Sequence, residues 1–254
     1  MENEERLCRE LAWLWPVISP LAKHVKENEE FSKIIQAHCP VRPVTLLHLG
    51  CGGGHDDFTL KKHFKVTGID ISEAMLGLAR RLNPEADYHL GDMKTVRLDK
   101  TFNSVIIGDS VSYMLTRDDL LSVFQTAFVH LEPGGVLLTL AEETLENFQQ
   151  SKTLCSDHVQ GDVEVTFIQN YYDPDRQDTS YEVTLIFLVR RNGQLTVEVD
   201  RHTLGLFNLN TWLELLREVG FSVEQTEFRG WDVEERIYPL LICKKPFRVG
   251  NRLK

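Results

Sequence analysis

Leu46-Leu47-His48-Leu49-Gly50-Cys51-Gly52-Gly53-Gly54-His55 is the stretch that decides the fold. An apolar run stops at a glycine-rich turn, and a helix is expected beyond it. An apolar run bounded by glycine reads as a buried parallel strand. Glycine lets the backbone reach positive φ and lets a ligand touch the main chain. The N–H groups at a helix start favour a negative ligand group there. A dinucleotide fingerprint requires Gly-x-Gly-x-x-Gly. Here its last position is His55, and the glycines fall at 50, 52 and 54. Nicotinamide redox chemistry is disfavoured for that reason. A tight structural turn would use the same glycines, so the turn has to be read in its context.

Outward from the turn, strand and helix signals alternate over residues 44–140. Apolar runs at 44–49, 66–69, 86–90, 104–107 and 136–140 are the expected strands. Ser72 is the expected N-cap of a helix running through Arg81, with Ala74, Leu78 and Leu82 on one face. Leu120, Phe124, Ala127, Phe128 and Leu131 form the stripe of a second helix, which Pro133-Gly134-Gly135 should end. This alternation implies an open parallel sheet covered on both faces. Upstream, Leu7, Leu11, Leu14 and Trp15 recur at helical spacing until Pro16 and Pro20 interrupt them, and a second helix is expected from about Leu21 to His38. Downstream, residues 163–172, 181–189 and 195–204 alternate with period two. Asn192-Gly193 between the last two is a hairpin signal, so a three-stranded antiparallel meander is expected. Leu209, Trp212, Leu213, Leu216 and Val219 restore a helix, stopped by Gly220, and 221–228 and 237–243 supply two closing strands.

The ends of the expected strands carry polar groups. Asp70 follows the second strand, twenty residues after Gly50. A carboxylate there can accept from both hydroxyls of a ribose; the alternative is an acid at a helix start beside Ser72. Gly91-Asp92-Met93 follows the third strand, with an acceptor for an amino group and an apolar contact for a ring. Gly108-Asp109-Ser110-Val111-Ser112-Tyr113 follows the fourth. Ligands of open α/β sheets bind beyond the carboxyl ends of the strands.

On these residues the chain resembles the Rossmann-type, class I methyltransferases that use S-adenosylmethionine. Gly50, Gly52 and Gly54 match the family's first motif, Asp70 its ribose acid and Asp92 its adenine acid. Leu131-Glu132-Pro133-Gly134-Gly135 matches its lead into the fifth strand. The resemblance implies an α/β fold: a seven-stranded, mostly parallel Rossmann-like sheet with an inserted three-stranded antiparallel sheet and N-terminal helices. It implies S-adenosylmethionine as cofactor, held by Gly50, Cys51, Gly52, Gly54, Asp70, Ile71, Asp92, Met93, Asp109 and Ser110, with S-adenosylhomocysteine as product. The family usually has an acid two positions before the first glycine, where this chain has His48. The meander followed by Asp200-Arg201-His202-Thr203-Leu204-Gly205-Leu206-Phe207, together with Ser110-Val111-Ser112-Tyr113-Met114, is similar to small-molecule enzymes such as the dTDP-aminosugar N,N-dimethyltransferases. In those the extra sheet covers the active site. The organisation expected on this basis is an N-terminal helical cap (1–43), a cofactor core (44–160), an antiparallel lid (161–207) and a C-terminal completion of the core (208–254). Those enzymes carry tyrosines where this chain has Leu11-Ala12-Trp13-Leu14-Trp15-Pro16.

Methyl transfer from a sulfonium needs the nucleophile in line with the breaking bond, and most of the catalysis can then be positioning. A proton acceptor is still needed for the product. Asp109 and His202 are the catalytic candidates. The alternative for Asp109 is a hydrogen bond to the methionine amino group. Histidine suits proton transfer near neutral pH, and His202 shares a strand face with Glu198 and Asp200, which either lines the pocket or meets water. Trp15, Tyr113, Tyr171 and His202 are the candidate substrate contacts; Tyr172 and Trp13 are weaker ones, and packing is the alternative for each aromatic.

Composition bounds the rest. The chain has 254 residues, with 28 Lys+Arg against 38 Asp+Glu, a formal net charge of −10 that opposes polyanion binding. The one basic cluster is the tail, Lys244, Lys245, Arg248, Arg252 and Lys254. No membrane span is expected, and Met1–Glu10 lacks the features of a secretory signal. Five scattered cysteines read as reduced thiols, hence a cytoplasmic protein. No metal site is expected, since the histidines lack ligand spacing. The expected function is transfer of a methyl group to nitrogen or oxygen of a small-molecule acceptor, with no nucleic-acid or membrane partner, and with a homodimer left open. The alternatives are a macromolecule (RNA or protein) methyltransferase on the same core and a non-catalytic S-adenosylmethionine-binding protein.

Overall fold

The computed structural model describes residues 5–40, 42–229 and 237–247. Arg248, Arg252 and Lys254 of the basic tail lie outside the described residues. The helices are α1 (Trp15–Ile18), α2 (Leu21–His38), α3 (Asp57–Leu60), α4 (Glu73–Leu82), α5 (Arg117–His130) and α6 (Leu209–Val219). The strands are β1 (Thr45–Leu49), β2 (Lys65–Asp70), β3 (Asp87–Leu90), β4 (Phe102–Ile107), β5 (Leu131–Leu140), β6 (Thr153–Gln160), β7 (Val163–Tyr172), β8 (Ser180–Arg191), β9 (Gln194–Gly205), β10 (Ser222–Arg229) and β11 (Ile237–Lys244).

Seven strands form one sheet in the order β10-β11-β5-β4-β1-β2-β3. β3, β2, β1, β4 and β5 run parallel, and β11 is antiparallel to both β5 and β10. The order reverses between β1 and β2 on one side and β4 on the other. That switch point, where an α/β sheet opens a crevice, is where the glycine turn leaves β1. Both faces are covered, so alternate residues of β1 enter different cores. Leu47 and Leu49 pack with Phe124 of α5 and Trp212 and Leu215 of α6. Leu46 packs with Phe31 and Ile35 of α2.

α4 begins as expected: Ser72 accepts from the Met75 N–H at 3.1 Å. α6 ends at Gly220, whose φ of 112° suits glycine at a helix C-terminus. α5 differs. It stops at His130, before the Pro-Gly-Gly, where Leu131 turns extended at ψ 141°, and Lys245 Nζ from beyond β11 donates to the carbonyls of Phe128 and Leu131 at 2.7 Å each. Pro133-Gly134-Gly135 instead forms an irregularity within β5, where the register to β4 shifts between Phe102 and Ser104.

The antiparallel insert has four strands, β6-β7-β8-β9, rather than the expected three. β6 pairs with β7 from Thr153↔Asn170 to Gln160↔Val163. It is an edge strand with aliphatic side chains only at Leu154 and Val159, so it carries no hydrophobic alternation. The hairpin at Asn192-Gly193 forms, with φ of 51° and 76°, the two positive values of a type I′ turn.

The first segment is not the expected continuous helix. Two 3-10 turns, Arg6–Cys8 and Ala12–Leu14, lead into the single turn of α1. The helical spacing still sorts the side chains. Leu7, Leu11 and Leu14 are buried together with Val183, Leu185 and Phe187 of β8 and Met75 of α4. This N-terminal strap therefore fills the space between the two sheets. Among the described residues no helix is long and apolar enough to cross a membrane, and no group of three or more His, Cys, Asp or Glu side chains is arranged to hold a metal.

Candidate active site

The glycine turn follows β1 with φ of 72°, 52° and 73° at Gly50, Gly52 and Gly54. A Cβ at Gly54 would lie 2.8–3.0 Å from Asn83 and Ala79 of the α4 region, so that glycine also permits close packing. Asp70, at the end of β2, accepts from the Gly52 N–H at 2.7 Å through Oδ2 and from the Ser72 N–H at 2.8 Å through Oδ1. Burial pushes the Asp70 carboxyl up from its ordinary value, against these amide bonds. One carboxylate thus ties the turn to the next strand end, and each oxygen keeps a second acceptor position.

Around this tie the crevice stays open. A Cβ on Gly52 or on Gly108 at the end of β4 would meet nothing within 4 Å. Ile71 is 73 % exposed. Asp109 is exposed on the 3-10 turn Asp109–Tyr113. Met93 lies against Gly50, its Cε 3.4 Å from where a Cβ would be. Asp92 accepts from the Lys94 N–H at 2.8 Å, and Ser110 donates to the Leu49 carbonyl at 3.2 Å. A cradle of backbone, three acids and an exposed apolar side chain fits an adenosine bearing a charged amino acid tail.

Beneath the turn runs a buried brace. His48 Nδ1 meets Asp57 Oδ1 at 2.8 Å, and the Tyr88 hydroxyl donates to Asp57 Oδ2 at 2.8 Å. Asn83 donates both to the Tyr88 oxygen at 3.0 Å and to the Gly54 carbonyl at 2.8 Å. Burial alone would lower His48, but the Asp57 charge and hydrogen bond carry its pKa above the ordinary value. His48, two positions before the first glycine of the turn, is thus held from beneath by the buried Asp57.

Above the turn sits the N-terminal segment. Trp15 covers Gly53, where a Cβ would lie 2.6 Å from its ring, and its Nε1–H donates to His55 Nδ1 at 3.0 Å. His24 of α2 bridges Ser19 Oγ and Asp56 Oδ1 at 2.7 Å each. Burial and the neighbouring His24 push His55 down to about 4. His24 itself is raised: burial opposes its charge, but the Asp56 bond and charge outweigh burial.

Across the crevice, β9 places Asp200 and His202 on its inner face, 0 % and 4 % exposed. The apolar positions Leu195 and Val197 face outward, 46 % and 54 % exposed. This settles the open question about that strand: its polar face is the buried one. His202 Nδ1 lies 2.6 Å from the Tyr113 hydroxyl and its Nε2 lies 2.8 Å from Asp200 Oδ2. Burial, with Cys8 alongside, pushes the Tyr113 hydroxyl far above its ordinary value. It therefore keeps its proton, with His202 Nδ1 and Cys8 beside it. Burial likewise raises the Cys8 thiol to about 12.

The structure brings Gly50, Cys51, Gly52, Gly54, Asp70, Ile71, Asp92, Met93, Asp109 and Ser110 to neighbouring strand ends, with Trp15 over the turn and Tyr113 joined to His202. Tyr171 instead stacks on Tyr181 within the second sheet, ring centroids 6.2 Å apart. Sequence reasoning passed over Cys8, His24, Asp57, Asn83 and Tyr88, and left Asp200 without a role. Only Asp200 carried a usable signal, its two-residue spacing from His202 on one strand.

Residues 46–135 match the family described as "Methyltransferase domain". The chain is 32 % identical over 117 residues to a dTDP-3-amino-3,4,6-trideoxy-alpha-D-glucopyranose N,N-dimethyltransferase of Streptomyces venezuelae, covering 45 % of this chain and 49 % of that one. It thus spans about half the length of that relative. Among solved structures, Streptomyces venezuelae DesVI superposes with a TM-score of 0.80 at 25 % identity, over 88 % of this chain and 92 % of that one. An S-adenosylmethionine-bound amino pentose methyltransferase from Micromonospora echinaspora, CalS10, shares the fold with a TM-score of 0.75 at 23 % identity, over 87 % and 91 %. Residues 46–135 thus match a methyltransferase domain, and the chain as a whole shares the fold of methyltransferases of known structure.

Proposed function

We propose that this protein transfers a methyl group from S-adenosylmethionine to an amine of a small molecule, with amino sugar nucleotides of the kind named for its relative as the first class to try. The observation that carries this reading is Asp70, which is tied to the glycine turn yet retains acceptor positions toward an open crevice. Asp70 would hold the ribose hydroxyls. Ile71, Asp92 and Met93 would hold the adenine, and the turn at Gly50–Gly54 with Cys51, Asp109 and Ser110 the methionine part. When bound, the cofactor supplies a methyl carbon on a positively charged sulfur.

The chain's own work is to place the amine, exclude water and accept one proton. Tyr113 and His202 do this as a pair. The Tyr113 oxygen accepts an N–H of the amine, and its own proton passes to His202 Nδ1. The resulting imidazolium rests against Asp200. The four-stranded sheet and the strap cover the crevice, and the parallel sheet carries the cofactor side. Trp15 of the cover and Tyr113 of the turn after β4 would meet the acceptor from its two sides; Tyr171, in the body of the cover, supports it from behind.

Calorimetry with S-adenosylhomocysteine tests the cofactor half. We expect saturable binding, weakened at least about tenfold by Asp70→Asn, or ~1.4 kcal/mol or more. Absence of binding by the unaltered protein sinks the reading. Mass spectrometry of a dTDP-aminosugar incubated with protein and cofactor tests the acceptor half, the expected product having gained one or two methyl groups.

A further inference from the structure

Asp200 is saturated with donors. Oδ1 accepts from the backbone N–H of Arg6 at 2.9 Å and of Arg201 at 2.8 Å. Oδ2 accepts from the N–H of Leu7 at 2.7 Å and meets His202 Nε2 at 2.8 Å. Three other contacts lash the same strap to β9. The Glu5 N–H donates to the Arg201 carbonyl at 3.1 Å. The Arg6 guanidinium reaches the Val199 carbonyl at 3.0 Å and Glu198 at 2.9 Å. Two residues on, the Cys8 carbonyl accepts from the Ser72 hydroxyl, the cap of α4 next to Asp70. The strap therefore bridges the acceptor-side sheet and the cofactor-side strand end, and its docking uses the carboxylate that orients His202.

We propose that Asp200 is a positioning residue that couples two events: docking of residues 5–8 on β9, and fixing of His202 with its proton on Nε2 and its Nδ1 lone pair toward Tyr113. A carboxylate can only accept hydrogen bonds, so the nitrogen facing it must carry hydrogen; the same logic fixes the histidine tautomer in hydrolase triads. With the strap undocked, Oδ1 and Oδ2 lose two of four donors, and the carboxylate is free to turn away from the imidazole. The proton acceptor is then assembled only when the strap closes. This coupling gives His202 its mechanistic meaning only if the methyl-transfer reading above holds, but its test does not depend on turnover.

The experiment is nitrogen-15 NMR of the histidine side chains together with amide exchange at Arg6 and Leu7, on the unaltered protein, Asp200→Asn and Glu198→Gln. In the unaltered protein His202 should show a single Nε2–H tautomer above pH 8, with both amides protected. Asp200→Asn should give mixed tautomers and exchange at least about tenfold faster at both amides. Glu198→Gln, which removes only a side-chain tie of the strap, should leave the tautomer as it was. An Nδ1–H tautomer in the unaltered protein overturns the proposal even if Asp200→Asn fails to fold. So does Asp200→Asn with the original tautomer and protection. Binding of S-adenosylhomocysteine, measured on the same samples, separates the two readings. Coupling without binding leaves Asp200 as proposed and removes methyl transfer; binding without coupling does the reverse.

Discussion

At the scale of single residues, the turn depends on backbone that only glycine adopts cheaply. Gly54 combines a φ of 73° with neighbours 2.8–3.0 Å from a would-be Cβ. Gly54→Ala should therefore lose at least about 1–2 kcal/mol of stability through strain and displaced packing, read as a lowered urea midpoint, and should weaken S-adenosylhomocysteine binding. His24 supplies a pH-dependent hold on the same turn. Its folded pKa lies above its unfolded value near 6.5, so its stabilisation is full below about that pH and fades as pH rises through the folded value. Asp56 behaves oppositely. Burial alone would raise it, but the His24 bond and charge, helped by His48 and Asn28, carry it well below the carboxylate range, and its contribution fades only as pH falls through that depressed value. The stability lost in His24→Gln should therefore be larger at pH 6 than at pH 8; an equal loss at both counts against the ion pair. The turn and Asp70 were legible in sequence because a fixed spacing ties them to one strand-turn-strand unit. Asp57 and Tyr88 were not, because their pairing joins the start of α3 to β3 across 31 residues and follows from no local pattern.

At the scale of elements, legibility followed hydrophobic period. β7 spans 163–172 and α2 spans 21–38 in sequence and structure alike, because β7 alternates with period two and prolines at 20 and 40 bound α2. β6 is an edge strand with little to bury, so its alternation is silent. β9 was ambiguous for a sharper reason: its inner face passes from the apolar core of β8 to a polar relay. Val183 and Leu185 pair with His202 and Asp200. An apolar-inward rule inverts at that place because the buried polar groups have partners. The strap differs again. Its leucines read as one helix, yet the amides of Arg6 and Leu7 are claimed by Asp200, and the chain breaks into short turns. α1 brings Trp15 onto Gly53, which makes a spectroscopic prediction. Intrinsic fluorescence should change when S-adenosylhomocysteine binds, and most of that change should vanish in Trp15→Phe. A change of the same size in Trp15→Phe would show that the ring does not face the bound nucleoside.

At the scale of the molecule, two sheets are joined by a strap that belongs to both. Leu7, Leu11 and Leu14 complete the core of the antiparallel sheet, while Trp15 and Cys8 touch the glycine turn and the cap of α4. The pairings that build the site join residues 6 and 200, 8 and 72, and 113 and 202, and no periodicity encodes contacts at such separations. The cysteines report how this assembly opens. Cys155 is exposed on β6, Cys8 in the strap and Cys39 after α2 are half-buried, and Cys51 and Cys243 are buried. Burial pushes the Cys51 and Cys243 thiols well above their ordinary value, so they react only when the surrounding structure opens. If the strap opens locally ahead of the rest, maleimide labelling under native conditions should proceed in three steps. Cys155 should react at once, Cys8 and Cys39 next, and Cys51 with Cys243 together and last. Added S-adenosylhomocysteine should slow Cys8 and the final pair, since a ligand bound across the crevice stabilises both the closed strap and the folded core. Cys8 reacting no faster than Cys243 would mean that strap and core open as one unit, and that an acceptor must enter by another path.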